Sequence, residues 1–261
     1  MPDRNESFDA LFLRSKDSPS GDRIATMLCT EAGIIDAFVF GGSRSSLRSS
    51  ASPFVFAKVF IYSDPVKHYR KLSDMAIIES FTGLRDSYTK LWSASLIAEL
   101  IVKTSGCGGE YAEVLDLSLQ ALRIFDRGKD DAVEMTLLAY LWKSLAIMGL
   151  QPDLERCARC GKALASTGSV QLPLRGGALY SPARDGFVCA SCGDEGLSLE
   201  ADLGSGLEAG GIPVLQEFST RSLAGCAEIH AQDAERSSLK ALIYYMAQKA
   251  AEGSLLTLST Q

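Results

Sequence analysis

Four cysteines, arranged in two pairs, are the residues of this chain with the clearest capacity for chemistry. Cys157 and Cys160 form one Cys-x-x-Cys pair, Cys189 and Cys192 form the other, and a glycine directly follows each pair. Four thiolates are enough to complete a tetrahedral zinc site, and each short pair can bind the ion from a single turn. The glycine lets the chain fold back after that turn. The spacing therefore predicts one structural Zn²⁺ ion held by these four cysteines.

Two other interpretations of the cysteine pairs are open. A disulfide would need an oxidising compartment, and nothing in the sequence argues for export. A redox-active motif would need only one pair, usually beside a βαβ unit. The 28 residues between the pairs (161–188) exceed the commonest spacing of such zinc sites and are rich in Gly, Pro and Ser. Because four sulfur ligands leave no open position for water or substrate, we expect the ion to stabilise the fold rather than to catalyse a reaction.

The composition indicates a globular cytoplasmic protein. Its 261 residues allow one large domain or two to three small ones. Residues 1–6 lack the basic start of a signal peptide, and the longest near-apolar helical run, residues 91–102, is too short to span a bilayer. Since thiols stay reduced in the cytoplasm, Cys29, Cys107 and Cys226 are expected to be small buried residues.

The charge of the chain is unevenly distributed. The net charge is −6, yet residues 1–80 hold equal numbers of basic and acidic side chains. Within residues 37–73, six basic side chains accompany one acid, Asp64, which gives a local charge of +5. Such a region can attract phosphate groups even in an acidic protein, because salt screens distant charges. A solvated strand surface without a ligand is the alternative explanation.

The N-terminal part of the chain is predicted to be a β-barrel. Apolar and polar side chains alternate in several short stretches, which is the pattern of strands. The predicted strands cover residues 7–14, 22–30, 34–40, 54–62 and 68–72. Five strands in about 80 residues match the size of an OB-fold. Residues 41–52 are predicted to form a flexible basic loop.

After Gly83 the apolar residues recur with helical spacing. The predicted helices cover residues 84–104, 110–127, 131–149 and 234–252 and should form a bundle around the zinc module. The stripe expected to face the core in the first helix is Leu91, Ala94, Ser95, Ala98 and Ile101. Trp92 and Trp142 are also predicted to be core residues. The fold class is therefore α+β and multidomain, with an OB-fold in residues 1–80, a helical domain in 81–153 and 195–261, and the zinc module in 154–194.

Sequence motifs for catalysis are lacking. There is no GxxxxGK[ST] phosphate loop, and residues 204–209 match GxGxxA without a convincing strand before them. His68 and His230 are the only histidines, and neither lies in an obvious nucleophile context. We therefore expect a binding protein and not an enzyme.

In their order along the chain, these features resemble the RecO family of bacterial recombination mediators. The specific segments are those around the cysteines, Cys157-Ala158-Arg159-Cys160-Gly161 and Gly186-Phe187-Val188-Cys189. Supporting segments are residues 10–14, 21–24, 29–33, 41–44, Ser49, 53–54, 94–100, 149–154 and 180–182. The sequence departs from the family pattern where Ser20-Gly21 replace an acidic residue, in the long excursion between the cysteine pairs, and in residues 195–212, which match weakly.

The resemblance implies an N-terminal OB-fold, a helical domain and a zinc-binding module. It implies binding to single- and double-stranded DNA and annealing of complementary strands. It also implies loading of the RecA recombinase onto DNA coated by single-stranded-DNA-binding protein. The implied partners are RecR, the acidic C-terminal tail of the coating protein and, indirectly, RecA. The implied location is the cytoplasm, in association with the nucleoid.

We predict that basic residues of the barrel bind the DNA backbone. The candidates are Arg14, Arg23, Arg44, Arg48, Lys58, Lys67, Arg70 and Lys71. Candidates to stack on bases are Phe54, Phe56, Tyr62 and Tyr69, with the barrel core as the expected alternative for the two phenylalanines. Candidates to hold the acidic tail are Arg123, Arg127 and Lys143. Two other functions remain open: a zinc-containing protein-interaction adaptor without direct DNA function, and an enzyme that uses the zinc.

Overall fold

The structure is a computed structural model that describes residues 5–17, 21–41, 45–64, 69–164, 178–189, 191–192 and 211–260. Arg44 and Lys67, two of the predicted DNA contacts, lie outside the described residues, as do residues 204–209. The chain divides into two units. The first comprises Met1–Val133 with Leu255–Gln261, and the second comprises Glu134–Ser254.

Five strands of the first unit close into a barrel. Strand β1 (Asn5–Asp17) pairs antiparallel with β2 (Arg23–Cys29) and with β4 (Val55–Asp64). Strand β3 (Gly33–Val39) pairs antiparallel with β2 and parallel with β5 (Tyr69–Ser80), which in turn pairs antiparallel with β4. The closed order β1-β2-β3-β5-β4 is that of an OB-type barrel, so the predicted fold of this part is confirmed.

The alternation of side chains in β4 shows how the sequence builds this barrel. Val55, Ala57 and Val59 are buried, whereas Lys58 and Phe60 are exposed on the other side of the strand. Successive side chains of a strand point to opposite faces, so the buried set fills the barrel and the intervening set forms its outer surface. The outer positions of β3, β4 and β5 are therefore available to a ligand.

Two features of the barrel differ from the prediction. Strand β5 runs to Ser80 rather than ending at Leu72, because its pairing with β4 continues that far. The alternation of buried and exposed side chains does not reveal this, since Ile77 and Ile78 are both exposed. Residues 41–52, predicted to be a flexible loop, contain the short helix α1 (Ser46–Ser50). The Oγ atom of Ser45 accepts the backbone N–H of Arg48 and caps this helix.

The first unit continues with a 3-10 turn (Thr82–Asp86) and helices α2 (Tyr88–Lys103) and α3 (Tyr111–Arg127). The helix predicted over residues 84–104 is thus interrupted at Ser87, whose Oγ accepts the N–H of Lys90 at 3.2 Å and starts a new helix. The predicted core stripe of α2 is only partly right. Ala94, Ala98 and Ile101 are buried, but Leu91 is 41% exposed and Ser95 is partly exposed.

Two glycines allow α3 to pack closely on the barrel. Gly33 and Gly106 have φ values of +67° and +77°, in the left-handed region that favours glycine. A Cβ atom at these positions would lie 2.7 Å and 2.6 Å, respectively, from the ring of Tyr111. The first turn of α3 therefore packs against the turn between β2 and β3.

The second unit contains most of helix α4 (Asp130–Ile147), the hairpin of β6 (Leu179–Ser181) and β7 (Gly186–Val188), and three further helices. These are α5 (Gly211–Thr220), α6 (Leu223–Cys226) and α7 (Asp233–Ala250). The sequence prediction had missed α5 and α6. Among the described residues, no helix combines the length and the apolar character needed to cross a membrane.

The predicted core residues of both units are largely confirmed. Trp92 and Trp142 are buried, and the Nε1–H of Trp142 donates to Oγ of Ser219 at 2.9 Å, which joins α4 to α5. Glu134 of α4 accepts from Lys240 of α7 at 3.3 Å. The three cysteines outside the Cys-x-x-Cys pairs, Cys29, Cys107 and Cys226, are all buried, as predicted.

Candidate metal centre and nucleic-acid interface

The four predicted metal ligands lie together in the second unit. The Sγ atoms of Cys157, Cys160, Cys189 and Cys192 all lie within 4.8 Å of one another, and those of Cys160 and Cys189 are 3.8 Å apart. Metal–sulfur bonds of about 2.3 Å in a tetrahedron place the sulfur atoms roughly 3.8 Å apart. The donor set and its spacing therefore fit a metal ion.

Local hydrogen bonds hold the two cysteine pairs in place. The backbone N–H of Gly161 donates to the carbonyl of Cys157 at 2.9 Å, and in the second pair the N–H of Cys192 donates to the carbonyl of Cys189 at 2.9 Å. The N–H of Ala158 donates to the carbonyl of Phe187 at 2.7 Å, so the first pair is bound to β7. Since Cys189 directly follows β7, this contact brings the two pairs side by side.

The surroundings of Cys157 favour its thiolate form. Burial by itself would raise the pKa of this thiol, but the backbone N–H groups of Cys160, Cys189 and Arg159 lower the pKa from 9.0 to about 6. The N–H groups of Arg159 and Cys189 lie 3.4 Å and 3.3 Å from the sulfur. A cysteine must be deprotonated to bind a metal ion, so this environment suits a ligand.

A polar cluster connects the hairpin beside the cysteines to α7. The hydroxyl of the buried Tyr180 donates to Oδ1 of Asp185 at 2.5 Å, and Nζ of Lys249 lies 3.0 Å from the same oxygen. Burial and the adjacent carboxylate raise the pKa of Tyr180, so its hydroxyl keeps the proton that it donates. The ring of Tyr180 also packs edge-on against Phe187 and Tyr245. These contacts therefore hold the hairpin of β6 and β7 against α7, in addition to the hydrogen bonds around the four cysteines.

Three of the predicted DNA contacts lie on the neighbouring strands β4 and β5. Lys58 on β4 and Arg70 on β5 are exposed, and Lys71 on β5 is partly exposed. Because successive side chains of a strand point to opposite faces, Arg70 points to the face of the buried Leu72 and Lys71 points outward. Lys58 lies opposite Ala76 in the β4–β5 ladder, several positions from Lys71. Lys58 and Lys71 therefore lie at separate places along the sheet.

Two other predicted contacts, Arg23 and Arg48, bind other parts of the barrel. The guanidinium of Arg48 donates to the carbonyl of Gly21 at 2.7 Å, to the carbonyl of Gly41 at 3.3 Å and to the carboxylate of Asp17 at 3.0 Å. Arg23 donates to the carbonyl of Arg48 at 3.0 Å and lies 3.6 Å from Asp17. These two arginines hold the segment between β1 and β2 against the segment between β3 and α1. The sequence pattern gave no means of predicting this role.

Arg14, the remaining predicted contact, is exposed on β1. Its Nε–H donates to Oγ1 of Thr26 at 3.2 Å, and the hydroxyl of Thr26 donates to Asp36 at 2.5 Å. This chain of hydrogen bonds crosses the outer surface of β1, β2 and β3.

An aromatic cluster, of which the sequence prediction named only Tyr69, lies beside Lys71. The rings of Phe38 and Phe40 are stacked, with centroids 5.8 Å apart and planes 9° apart. Tyr69 meets Phe38 edge-on at 6.2 Å, and Nζ of Lys71 lies 5.6 Å from the centroid of Phe40. The alternation in β3 was a usable signal, since Ala37 and Val39 face the core and Phe38 and Phe40 therefore face outward.

Of the four aromatic residues named from the sequence, Tyr69 lies in this cluster and the other three have other positions. Phe54 and Phe56 were expected in the barrel core, but both are only half-buried. Phe54 precedes β4 with φ +64°, and Phe56 takes an outward position between the buried Val55 and Ala57. Tyr62 is half-buried at the outer side of β4.

The three basic residues predicted to hold an acidic tail lie on two helices, α3 and α4. Nε of Arg123 on α3 lies 3.0 Å from Glu79 of β5. Arg127 is exposed at the end of α3, and Lys143 is partly exposed on α4, in the second unit.

Comparison with known sequences places the chain in a family. The family model described as "Recombination protein O N terminal" matches residues 3–81, and that described as "Recombination protein O C terminal" matches residues 85–257. The chain belongs to the RecO family. The interval between the two RecO matches falls just after the last strand of the barrel, so the N-terminal match coincides with the OB-type barrel.

Individual relatives agree with the RecO family assignment. The chain is 32% identical over 186 residues to "DNA repair protein RecO" of Pelotomaculum thermopropionicum, covering 70% of this chain and 67% of the relative. It is 27% identical over 188 residues to the protein of the same name from Symbiobacterium thermophilum, covering 72% and 71%. For the protein of that name from Desulfatibacillum aliphaticivorans, the identity is 29% over 190 residues, covering 70% of each chain.

The first unit of this RecO-family chain also contains an apolar groove of about 600 Å³. One wall is α2, with Leu91, Ala98 and Val102, and the other is formed by residues 53–55 before and within β4. Leu256 and Thr257 of the C-terminal segment complete the lining. Three basic side chains, Arg14, Arg85 and Lys103, lie along the groove.

Proposed function

We propose that this protein is a DNA repair and recombination mediator. It binds single- and double-stranded DNA, anneals complementary strands and, with RecR, helps to load RecA onto DNA coated by single-stranded-DNA-binding protein. The observation that carries the proposal is an OB-type barrel with basic and aromatic side chains on its outer surface, in a chain matched by both RecO family models. Mediation of this kind requires binding surfaces and no catalytic group, and we propose that it takes place in the cytoplasm, at the nucleoid.

The DNA contact is proposed to be led by phosphates. Lys71 on β5 and Lys58 on β4 offer positive charge on the outer surface, and Arg70 is exposed next to Lys71 in the strand. Arg44 and Lys67, which lie outside the described residues, are proposed to contribute as well. OB-folds bind oligonucleotides through the surface of their second and third strands and the adjoining loops. Phosphate contacts give tight binding with little sequence preference and steep salt dependence.

A charge-reversal pair tests this placement. The double variant Arg70→Glu/Lys71→Glu should bind an oligothymidylate strand more weakly, and the slope of log affinity against log salt should fall in magnitude by about 1.4, as for two lost contacts with a single strand. The matched control is Arg127→Glu/Lys129→Glu, which makes the same change in net charge at exposed positions at and just beyond the end of α3. Equal losses for both variants would show that the binding surface is not on β5.

The mediator function itself is tested by strand annealing. Purified protein should accelerate pairing of complementary strands coated by single-stranded-DNA-binding protein, without any nucleotide. Binding to RecR combined with no affinity for DNA would instead favour the protein-interaction adaptor.

We propose that the ion held by the four cysteines is a single Zn²⁺ and that it stabilises the second unit. The support is the chemistry of the donor set, because four thiolates in a tetrahedron suit zinc. Metal analysis should give one zinc per chain. Cobalt substitution should give the visible spectrum of four-sulfur coordination, whereas a spectrum of five-coordinate or oxygen-ligated cobalt would contradict a closed structural site.

The acidic tail of the coating protein is proposed to bind in the groove of the first unit. Such a tail requires positive charge beside apolar surface, and the groove combines Arg14, Arg85 and Lys103 with apolar walls. Fluorescence anisotropy with a labelled tail peptide should show weaker binding for Arg85→Glu and unchanged binding for Arg127→Glu. The reverse result would support the surface of α3.

A further inference from the structure

Two aromatic rings are presented side by side on the outside of the barrel, at the end of β3. Ala37 and Val39 are fully buried, so the residues that alternate with them face outward. Phe40 is 39% exposed and Phe38 is partly exposed. Their rings lie nearly parallel, with an angle of 9° between the planes and centroids 5.8 Å apart, so the two rings stack on each other.

Strand pairing brings positive charge to these rings. Phe38 of β3 lies opposite Lys71 of β5 in the parallel ladder, and Nζ of Lys71 lies 5.6 Å from the centroid of the Phe40 ring. Tyr69 supports Phe38 from the side with an edge-to-face contact. An apolar surface and a cation are thus combined within one small area.

The acidic residues nearby limit where a phosphate chain can run. Asp36, two residues before Phe38 on the same outer face of β3, accepts a hydrogen bond from Thr26 of β2. Asp64 lies opposite Tyr69 in the β4–β5 ladder. A nucleic-acid backbone would therefore follow the side of the rings on which Lys71 lies.

A second exposed phenylalanine on the same barrel provides a comparison. Phe60 on β4 is 41% exposed, almost the same as Phe40, but its partners across the ladders are Ser7 and Asp74. Single apolar side chains at a surface are common and need no ligand to explain them. What distinguishes Phe40 is the parallel second ring, the adjacent ammonium and the position at the β3–β5 junction of an OB-type barrel.

We infer that Phe38 and Phe40 form a stacking platform for unpaired nucleobases, with Lys71 binding a phosphate beside it. This inference rests on the proposed DNA binding and adds that the barrel discriminates single strands from duplexes through these rings. Bases in a duplex are paired and stacked on each other and do not present their faces, whereas every unpaired base has a face that can stack on an aromatic ring. The platform is therefore expected to be tolerant of sequence and selective for single strands.

The test compares three probes on the full-length protein: an oligothymidylate strand, an abasic deoxyribose-phosphate strand of the same length, and a duplex. Phe40→Leu should weaken oligothymidylate binding by roughly 5- to 150-fold, the range that corresponds to stacking of one base. Binding of the abasic strand and of the duplex should be unchanged, and so should the salt slope, since no phosphate contact is lost. Phe40→Trp should retain the affinity, because it keeps an aromatic face.

Phe60→Leu is the matched control, since it makes the same substitution at equal exposure. It should change none of the three affinities, and thermal melting of both variants should show that the barrel is intact. An equal loss for Phe40→Leu and Phe60→Leu would overturn the inference. An equal loss of affinity for the abasic strand would also overturn the inference, since the ring of Phe40 would then act only by positioning Lys71. If wild-type protein binds none of the probes, the proposed DNA binding itself fails, and this outcome is distinct from a platform that fails in a protein that binds.

Discussion

Thr257 donates its backbone N–H to Oε2 of Glu99 at 2.8 Å, across 158 positions of the chain. The N–H of Leu256 donates to the other carboxylate oxygen at 2.7 Å, and the carbonyl of Thr257 accepts from Nε1 of Trp92 at 2.9 Å. Both side chains belong to α2. One carboxylate on this helix thus binds two N–H groups at the start of the C-terminal 3-10 turn (Leu256–Thr260) and makes that segment part of the first unit.

Replacement of Glu99 by glutamine should destabilise the first unit. Glutamine keeps one acceptor for the two N–H groups, and the charge that strengthens both bonds is lost. The Glu99 side chain is only 15% exposed, so we expect a loss of about 1–3 kcal/mol in the free energy of unfolding. Chemical denaturation measures this loss. Glu113→Gln, at an exposed position of α3, should cost almost nothing, and equal losses would mean that the C-terminal contact is not the cause.

The contribution of Glu99 should depend on pH in a defined direction. Burial alone would raise the pKa of Glu99, but hydrogen bonds from Thr257, Leu256 and Lys103 outweigh it and lower the pKa below its ordinary value of 4.5. A carboxyl whose pKa is lowered by folding stabilises the protein above its unfolded pKa and loses that contribution as the pH falls through the folded pKa. The difference in stability between wild type and Glu99→Gln should therefore be constant near neutral pH and shrink below about pH 4.5. A difference that widens in acid would contradict this assignment.

Sequence reasoning succeeded where the relevant signal was local. Alternation in residues 54–62 predicted β4 because each side chain reports its own face of the strand, and the Cys-x-x-Cys spacing predicted a cluster that the structure brings together. It failed where a distant contact decides the conformation. Strand β5 continues past Leu72 because it pairs with β4, which no local pattern in β5 specifies. The start of α2 is a different case: the cap at Ser87 is a local signal, three residues from Lys90, which the prediction by periodicity did not use.

The binding surface was only partly predictable for the same reason. A count of basic residues identified Lys71, but its proximity to Phe40 depends on the parallel pairing of β3 with β5, which no local pattern specifies. The count also included Arg48, whose guanidinium binds backbone carbonyls of the barrel. Charge alone does not distinguish an arginine available to DNA from one that holds two connections together.

Loss of a metal ligand should unfold the second unit locally and leave DNA contact by the barrel intact. Cys157→Ser should lower the zinc content and reduce the stability of this unit by several kcal/mol, since metal binding of about 10–16 kcal/mol in small zinc domains acts as folding free energy. Limited proteolysis, metal analysis and DNA affinity measure the three effects. Cys226→Ala, at a buried cysteine outside the cluster, should keep the zinc. If Cys157→Ser lost DNA affinity before it lost stability, the assignment of the DNA site to the first unit would be wrong.

The hydroxyl of Tyr180 should contribute to the same unit without affecting the metal. Tyr180→Phe removes the bond to Asp185, which is largely exposed and therefore screened by solvent, so we expect a loss of about 1 kcal/mol. Zinc content should stay unchanged, because the cysteines and their backbone bonds are untouched. Chemical denaturation followed together with metal release checks both points. The control is Tyr88→Phe at an exposed position of α2, and a fall in zinc content for Tyr180→Phe would show that the hydroxyl supports the metal centre directly.

Arg48→Lys should separate a structural role of this arginine from a role in DNA binding. The planar guanidinium reaches the carbonyls of Gly21 and Gly41 and the carboxylate of Asp17 at once, and a single ammonium cannot reproduce that geometry. The charge is retained, so a purely electrostatic phosphate contact would survive. We expect a loss of about 1–3 kcal/mol in stability, an unchanged salt slope of DNA binding, and no comparable destabilisation for Lys58→Arg on β4. Unchanged stability with a shallower salt slope would identify Arg48 as a phosphate ligand, and the connections at Gly21 and Gly41 would then have to be held by other contacts.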